Sequence, residues 1–462
     1  MAFDTIDQLD ESQTGSIDAL HALHDALLPG TVRNALQTGF FRERWADCDL
    51  AHINRHTLRY LPTIDKESIR AAGETAQNRA GVVCNDVLTS GTTGNPLVTI
   101  RSDREQKFIQ QFITRQLHAQ PVRCYLRGLH FTNPYHGHLI NVPAPIHNHR
   151  ISVYDAGSFA YARKTLLHSH KDANVAAQCS VLSGLERCLR AFTLDTMAHY
   201  PEGFPATGLR LVVSYSQYLT SKWRQRFEDT WRVPVIDGFS VSEVFGSANQ
   251  CLQCGWYHFE PYVVPEVLGA HSGKVIEEGA GLLALTALYP FQQAQPLVRY
   301  LTGDLVEVTH AASCRPGTTS IKPLGRARYG VPAPGSDAWL LAPAAILEAV
   351  DEIPEVKRIP RFADVDQVTD PYAIGHPKYR TTCTAKAADG IEIKVELALA
   401  QNVSTRRRGA IAGDVIQHLA QRNVRLQEAL REGQVLLAVE CCDEVRPDMI
   451  AQAHSGGVWS PA

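Results

Sequence analysis

This 462-residue sequence has no marked excess of either sign of charge. It contains 45 lysines and arginines and 48 aspartates and glutamates, which gives a formal net charge of −3. This balance excludes the strongly basic class of nucleic-acid-binding proteins, whose binding surfaces need a surplus of Lys and Arg. We therefore expect no nucleic-acid partner. A single bound nucleotide is not excluded, since it requires only a few local donors.

Long apolar runs are also missing, because no segment reaches the ~18 consecutive apolar residues of a transmembrane helix. The first residues, 1–7, are acidic and polar and lack the basic start and apolar stretch of a secretory signal. The 11 cysteines are odd in number and mostly isolated, unlike the disulfide framework of small secreted proteins. We expect a cytoplasmic protein without a membrane segment.

Apolar residues with helical spacing open the chain, so residues 1–80 are predicted to form a helical lead-in. These residues are Ile17, Leu20, Leu23, Leu27 and Leu28. From residue 84 to about 324, short β-branched runs alternate with helical patterns. This alternation favours an α/β domain with a mixed or largely parallel sheet flanked by helices.

A cluster of glycine and proline over 325–335 interrupts this pattern. Beyond it, 391–397 alternates like a half-buried strand, 415–430 has the spacing of an amphipathic helix, and 435–439 forms another strand. The sequence therefore predicts a large domain over 1–325 and a small α+β domain over 326–462.

The strongest motif is a glycine loop rich in hydroxyl groups, directly after Val87 and Leu88. Its glycines allow backbone N–H groups to approach an anion, and its hydroxyls add donors, so it is predicted to wrap the phosphates of a nucleotide. The alternative is a surface turn. It is not a GxxxxGK[ST] loop, since the spacing differs and the lysine is missing. The loop residues are Thr89, Ser90, Gly91, Thr92, Thr93 and Gly94.

Two carboxylates follow apolar strands further along the chain. Phe239 ends one strand and Glu243 follows four residues later, so the ring could stack on a purine and the carboxylate could hold Mg²⁺. Asp304, in a Thr-Gly-Asp sequence, is placed to accept hydrogen bonds from sugar hydroxyls. The alternatives are a solvated Glu after a strand and a plain turn. A Leu-Gly-Arg sequence ending at Arg326 follows at the predicted domain boundary.

A compact group of soft ligands is formed by Cys251, Cys254 and His258, and Cys314 follows the Thr-Gly-Asp strand. Four such ligands would suit a closed tetrahedral Zn²⁺ site. The alternative is buried thiols beside a surface histidine, because cysteine is often buried. A redox role is less favoured, since no thioredoxin-like unit surrounds the CxxC pair.

The order and separation of these motifs resemble the adenylate-forming superfamily of acyl-CoA synthetases, nonribosomal-peptide adenylation domains and luciferases. The resemblance covers roughly residues 80–440. It is strongest to the phenylacetate-CoA ligase branch, on the strand and turn over 209–216, the Val-Arg-Tyr lead into Thr-Gly-Asp, and the modest C-terminal domain.

The resemblance implies a role for each matching residue. The glycine loop would hold the ATP phosphates, with Thr92 among the catalytic residues. Ser242 and Glu243 would serve the phosphate and Mg²⁺, and Asp304 would bind the ribose with Arg326 nearby. The adenine side would be lined by Ser214, Tyr215, Ser216, Asp237, Gly238 and Phe239. The acyl pocket would be lined by Tyr135, His136, Gly137, Ser214, Tyr215 and Phe239. Members of the branch often carry cysteines at the position of the Cys251–Cys254 pair and at that of Cys314. This supports Cys314 as a zinc ligand.

The reaction implied is ATP- and Mg²⁺-dependent activation of an aryl or arylacetic acid as acyl-AMP, with loss of pyrophosphate. A thiol such as coenzyme A then takes the acyl group. A carrier protein or an amine is the alternative acceptor, and the branch also implies a homodimer.

Four departures from the branch pattern stand out. Asn95 occupies the place of a lysine, Ser240 that of a glycine, and Arg328 lies where the hinge is acidic. No lysine follows Lys394, so Arg446 is the candidate for the catalytic cation of the C-terminal domain. A nucleotide-binding protein that no longer catalyses is the alternative.

Overall fold

The computed structural model of the chain describes residues 16–79, 83–88, 97–108, 111, 125–132, 146–152, 156–171, 175–205, 207–244, 246–312, 314, 317–351, 353–359, 376–385 and 390–445. Across these ranges, no helix combines the length and the hydropathy that a membrane span requires.

The first part of the described chain is helical, as its apolar spacing predicts. The Ser16 side chain accepts a hydrogen bond from the Ala19 N–H at 3.2 Å and caps the first helix. Leu23, Leu27 and Leu28 form its buried face. The helices are α1 (Ile17–Ala35), α2 (Gly39–Arg44) and α3 (Lys66–Ala72), with 3₁₀ turns at Leu58–Tyr60 and Gly73–Ala76.

Among the described residues up to Arg326, the chain forms thirteen strands. They are β1 (Cys84–Leu88), β2 (Val98–Ser102), β3 (Tyr125–Thr132), β4 (Ile146–Ser152), β5 (Val175–Leu185), β6 (Leu211–Tyr215), β7 (Val235–Ser240), β8 (Ser247–Gln250), β9 (Tyr257–Phe259), β10 (Val263–Leu268), β11 (Gly279–Ala287), β12 (Tyr300–Thr309) and β13 (Ser320–Arg326). Strands β1 and β2 form a separate antiparallel pair. The other eleven form one sheet in the order β10-β11-β12-β13-β9-β8-β7-β6-β5-β3-β4.

This large sheet is mixed, which confirms the α/β class. Strands β4, β3, β5, β6 and β7 pair in parallel, and the connections between them include α4 (Ala156–Leu167), α5 (Glu186–His199) and α6 (Ser221–Trp231). From β7 to β10 every pairing is antiparallel. The parallel expectation therefore holds for these five strands, of which β4, β5, β6 and β7 are joined by the three crossover helices.

The two faces of the parallel strands differ. Leu129, Leu182, Val212 and Val235 alternate onto one face, where they are fully buried in the same apolar cluster as side chains from α4, α5 and α6. Their chain neighbours on the opposite face, such as Val213, are only partly buried. One face of this half-sheet therefore packs on helices, while the other keeps some exposure to solvent.

A second group of short strands and helices follows residue 326. Its elements are β14 (Val331–Pro332), β15 (Trp339–Leu341), α7 (Pro343–Val350), β16 (Arg358–Ile359), β17 (His376–Pro377), β18 (Tyr379–Ala385), β19 (Ile391–Ala398), α8 (Thr405–Arg422), α9 (Val424–Arg431) and β20 (Val435–Cys442). Their apolar side chains share one buried cluster, which includes Ile346, Ile393, Val415 and Leu437.

The amphipathic helix expected over 415–430 is two helices rather than one. Asn423 separates α8 from α9, and its side chain accepts a hydrogen bond from the Leu426 N–H at 3.0 Å. Its amide also donates to the Leu340 carbonyl at 2.7 Å. Asn favours such capping positions, so the break follows from local chemistry that apolar spacing does not register.

Two carboxylates, Glu348 in α7 and Asp351 directly after it, reach the start of α6. The Ser221 N–H donates to Glu348 Oε1 at 2.8 Å, and the Thr220 hydroxyl donates to Asp351 Oδ2 at 3.2 Å. Arg190 on α5 donates to the same Asp351 oxygen at 2.7 Å and is fully buried. The elements after residue 326 therefore supply hydrogen-bond acceptors to donors at the N-terminus of α6.

Candidate functional site

Parallel strands β6 and β7 end side by side and bring two of the expected segments together. Register pairs Ser214 with Asp237 and Tyr215 with Gly238. The residue after β6, Ser216, has φ of +82°, a conformation that costs a non-glycine residue on the order of 1 kcal/mol. Ligands of open α/β sheets bind outside the carboxyl ends of such strands, so this is where a nucleotide is expected.

Asp237 is tied to the fold. Its side chain is 5 % exposed, and the Tyr257 hydroxyl donates to its Oδ2 atom at 2.6 Å. Burial raises the pKa of Asp237 to about 7, and the hydrogen bond from Tyr257 opposes part of that rise. This carboxyl therefore joins β7 to β9, next to the expected adenine side.

Phe239 lies at the antiparallel junction of the sheet, paired in register with Ala248. Its ring meets that of Phe259 edge-to-face, with 6.5 Å between centroids. The ring is only partly buried. Phe259 therefore fixes the orientation of a ring that retains some accessible surface.

Glu243 and the preceding Ser242 contact groups from three distant segments. Its Oε1 atom lies 3.4 Å from the Lys66 ammonium on α3. Arg101 donates to the carbonyl of the preceding Ser242 at 2.8 Å. The Tyr300 hydroxyl donates to the Glu243 carboxylate, and burial together with this neighbouring charge raises the pKa of Tyr300.

Asp304 and Arg326 face each other across β12 and β13. They are register partners, and Arg326 Nε lies 3.3 Å from Asp304 Oδ1. Arg326 also donates to the Thr302 carbonyl at 2.8 Å, and the Thr302 hydroxyl accepts from the Asp304 N–H at 3.1 Å. Burial raises the pKa of Asp304 while Arg326 opposes the rise, and Asp304 raises the pKa of Arg326.

The carboxylates of Glu243 and Asp304 are close enough to interact electrostatically. The charge of Glu243 contributes to the pKa shifts of Tyr300, Asp304 and Arg326. Motifs that lie far apart in the chain are therefore brought close together in the fold.

The glycine before Arg326 is required by its surroundings. Gly325 has φ of +103°, and a Cβ atom there would lie 2.9 Å from Pro343 Cβ at the start of α7. The Gly-Arg sequence thus combines a close backbone approach to the C-terminal elements with the ion pair to Asp304.

The structure brings together the four soft ligands that the sequence analysis grouped. The ligand atoms of Cys251, Cys254, His258 and Cys314 all lie within 4.8 Å of one another. Cys314 Sγ is 3.1 Å from Cys254 Sγ, 3.7 Å from Cys251 Sγ and 3.0 Å from His258 Nε2. The other ring nitrogen of His258 shares a hydrogen bond with the Ser320 hydroxyl at 3.0 Å, which orients the ring.

Three groups of expected residues lie outside the described ranges. They are the phosphate loop Thr89, Ser90, Gly91, Thr92, Thr93 and Gly94, the acyl-pocket residues Tyr135, His136 and Gly137, and Arg446.

Sequence reasoning did not identify Lys66 or Tyr300. Asp65 and Ser68 form a capping box at the start of α3, and this helix-start signal is visible in the sequence. Nothing local indicates that the helix carries Lys66 to Glu243. The tyrosine of the Val-Arg-Tyr sequence was noted only as part of the resemblance.

No family model matches the chain. The sequence is 25 % identical over 278 residues to a phenylacetate-coenzyme A ligase of Thermus thermophilus, a match that covers 57 % of this chain and 59 % of that protein. It is 24 % identical over 319 residues to a phenylacetate-coenzyme A ligase of Escherichia coli, covering 65 % of this chain and 70 % of that protein. The match thus spans less than two thirds of the Thermus relative.

Solved structures extend the likeness to nearly the whole chain. An open conformation of 2-hydroxyisobutyryl-CoA ligase, in complex with 2-HIB-AMP and CoA, superimposes with a TM-score of 0.62 at 13 % identity, over 93 % of this chain and 88 % of that one. The same ligase in its thioesterification state gives 0.55 at 14 % identity, over 97 % and 91 %.

The fold is therefore that of the adenylate-forming ligases. The sequence relatives are similar to this chain at 24–25 % identity and are phenylacetate-coenzyme A ligases. The resemblance to this superfamily and to its phenylacetate-CoA ligase branch, expected from the motifs, is confirmed.

Proposed function

We propose that the protein is an ATP-dependent ligase that activates a carboxylic acid as an acyl adenylate and then passes the acyl group to a thiol such as coenzyme A. The observation that carries this proposal is the position of Glu243 near the Asp304–Arg326 ion pair, since a nucleotide needs a phosphate-metal contact and a ribose contact in one place. Arg326 lies 3.3 Å from Asp304, and Tyr300, which donates to Glu243, opens the strand that carries Asp304. The named relatives are phenylacetate-coenzyme A ligases, so an aryl or arylacetic acid is the proposed substrate.

In this proposal Asp304 accepts hydrogen bonds from the ribose hydroxyls. Arg326 holds the carboxylate in place from the neighbouring strand, at 3.3 Å. Because Asp304 is buried, each hydrogen bond that it accepts from a ligand is charge-assisted and little screened by water. The Ser214–Ser216 turn and Phe239 lie at the adjoining strand ends, where they would line the adenine and acyl sides.

Glu243 suits Mg²⁺, because this ion is commonly held by one or two carboxylates together with substrate phosphates. Bound there, the ion would neutralise phosphate charge. Lys66 lies within 3.4 Å of the same carboxylate and adds a protein cation that can approach the phosphates. Positioning and charge neutralisation are the main contributions expected of a site for this chemistry.

We also propose that the Cys251–Cys254–His258–Cys314 group holds a structural Zn²⁺. Tetrahedral Zn²⁺ with sulfur and nitrogen ligands places those ligands about 3.5–3.8 Å apart. The measured separations to Cys314 are 3.0, 3.1 and 3.7 Å. All four ligands come from the protein, so the site is closed, as structural zinc sites are.

A nucleotide-binding protein without ligase activity is the second candidate. The observation in its favour concerns Lys394, the last lysine of the sequence. It lies in β19 and forms an ion pair with Glu440 at 2.7 Å, so it is engaged within the small sheet. Under the ligase proposal, Arg446 would have to supply the cation at the reacting carboxylate.

Pyrophosphate release tests the proposal. The enzyme is incubated with ATP, Mg²⁺ and a panel of aryl, arylacetic and short aliphatic acids, with and without coenzyme A. Release that depends on one acid supports the ligase, and the mass of the product separates a thioester from an amide. ATP binding without release for any acid would contradict ligase activity and favour the second candidate.

A further inference from the structure

Three polar side chains form a hydrogen-bonded chain across β3, β5 and β6. One ring nitrogen of His130 lies 2.9 Å from the Ser183 hydroxyl, and the other lies 3.1 Å from the Tyr215 hydroxyl. The rings of His130 and Tyr215 are nearly parallel, with 15° between their planes. The motifs do not include His130 or Ser183.

The position of this chain follows from register. His130 is paired with Ser183, and Leu185, two residues further along β5, is paired with Tyr215. His130 and Ser183 alternate with the buried Leu129 and Leu182, which pack on the helices, so these two side chains lie on the opposite face. The Tyr215 ring also packs against the apolar cluster, and its hydroxyl reaches His130 at 3.1 Å. All three are partly exposed, near the carboxyl ends of parallel strands.

The hydrogen bonds use only part of the capacity of these groups. Burial lowers the pKa of His130 to about 4, so at neutral pH its ring has one N–H and one lone pair. If Tyr215 donates to the ring, the ring donates to Ser183, whose own O–H stays free to donate. If Ser183 donates to the ring, the ring donates to Tyr215, and both hydroxyl oxygens keep lone pairs. The chain can therefore present a donor or an acceptor to a ligand.

We propose that His130, Ser183 and Tyr215 form a polar wall of the acyl pocket that selects a carboxylic acid bearing a hydroxyl group away from its carboxylate. This rests on the proposed ligase function. A hydroxyl both donates and accepts, so it matches either state of the chain. A bare aromatic ring would cover the same groups without satisfying them, and a site built to bind a hydroxyl rejects the analogue lacking it by up to ~10⁴-fold.

The test compares matched acids in the pyrophosphate assay. Phenylacetic acid is paired with its three hydroxyphenyl isomers, benzoic acid with its hydroxy isomers, and butyric acid with 3-hydroxybutyric acid. We expect kcat/KM for at least one hydroxylated acid to exceed that of its partner by about tenfold or more. Ser183→Ala should remove most of this preference and Tyr215→Phe part of it, while Ser183→Thr, which keeps the hydroxyl, should retain it.

Ser180→Ala is the matched control, because Ser180 lies on the same strand and its hydroxyl donates to the Arg127 carbonyl instead. It should leave the preference unchanged. The polar wall is overturned, and the ligase proposal retained, if the wild type releases pyrophosphate with acids but shows no preference for a hydroxylated acid. The same holds if Ser183→Ala keeps the preference of the wild type. No release with any acid overturns the ligase and the polar wall together.

Discussion

Lys66 lies 3.4 Å from Glu243 and joins the N-terminal helices to the central acidic position of the site. Its location is fixed by the backbone around it. The Ile64 N–H donates to the Arg299 carbonyl at 3.1 Å, and the Leu301 N–H donates to the Ile64 carbonyl at 2.7 Å. The helical lead-in is therefore hydrogen-bonded to the start of β12 through Ile64, which lies two residues before Lys66.

Replacing Lys66 with methionine removes the cation while keeping most of the apolar stem. We expect the KM for Mg-ATP to rise about tenfold, equivalent to ~1.4 kcal/mol, because phosphates then face an uncompensated carboxylate. Lys66→Arg should keep most of the affinity. Initial rates of pyrophosphate release against ATP concentration measure the effect, and Lys274→Met in an exposed hairpin is the control. An unchanged KM in Lys66→Met would show that the cation serves stability alone.

Asp304→Asn keeps the shape of the side chain and removes its charge. We expect ATP binding to weaken by tenfold or more, since the ribose loses charge-assisted hydrogen bonds worth ~1.5–3 kcal/mol each. Isothermal titration with ATP measures the change. Glu307→Gln on the same strand should bind ATP like the wild type. Equal affinity of Asp304→Asn and the wild type would exclude Asp304 as a ribose ligand.

Metal content tests the cysteine site. We expect about one Zn²⁺ per chain in purified protein and a lower melting temperature after chelation, because structural zinc contributes directly to folding. Cys254→Ser should lose zinc and show the same lower melting temperature without chelator. Cys48→Ser, outside the cluster, should keep the metal. If the purified protein contains no metal, and neither zinc nor a chelator changes its melting temperature, the zinc site is excluded.

The buried Asp237 predicts a dependence of stability on pH. Its pKa is raised from 3.8 to about 7 in the folded chain, so the folded state binds more protons than the unfolded state between these values. This contribution to stability is complete below 3.8 and is lost as pH rises through about 7. The free-energy cost of Asp237→Asn relative to wild type should therefore shrink from pH 5 to pH 7, by up to ~1.4 kcal/mol per unit.

Urea unfolding of both proteins at pH 5, 6, 7 and 8 measures this difference. Glu307→Gln provides the comparison for a carboxyl that lies in the same sheet and is partly exposed. A difference between Asp237→Asn and the wild type that stays constant from pH 5 to pH 7 would contradict the raised pKa.

Local patterns were enough to predict much of the fold and part of the site. Helix α1 and strand β19 follow from apolar spacing, and the CxxC pair with His258 identified a cluster that the structure assembles. The closeness of Arg326 to Asp304 was implied by the family resemblance rather than by either local motif, and the structure pairs the two residues on adjacent antiparallel strands.

Other features depend on which segments meet, and no local pattern records that. The contact between Lys66 and Glu243 requires the lead-in to pack against β12. The His130 chain requires three strands in a particular register, with strand order differing from chain order, since β3 lies between β4 and β5. Antiparallel pairing beyond β7 likewise reflects turns rather than strand composition.

The contacts that Glu348 and Asp351 make at the start of α6 affect how the molecule unfolds. Arg190 is fully buried and depends on Asp351 for part of its charge balance, and the Ser221 N–H depends on Glu348. A fragment ending before residue 343 would leave the buried Arg190 with Glu186 but without Asp351, and would leave the first turn of α6 to fray. The two parts of the chain are thus not thermodynamically independent, and heating should melt them in one cooperative transition rather than two.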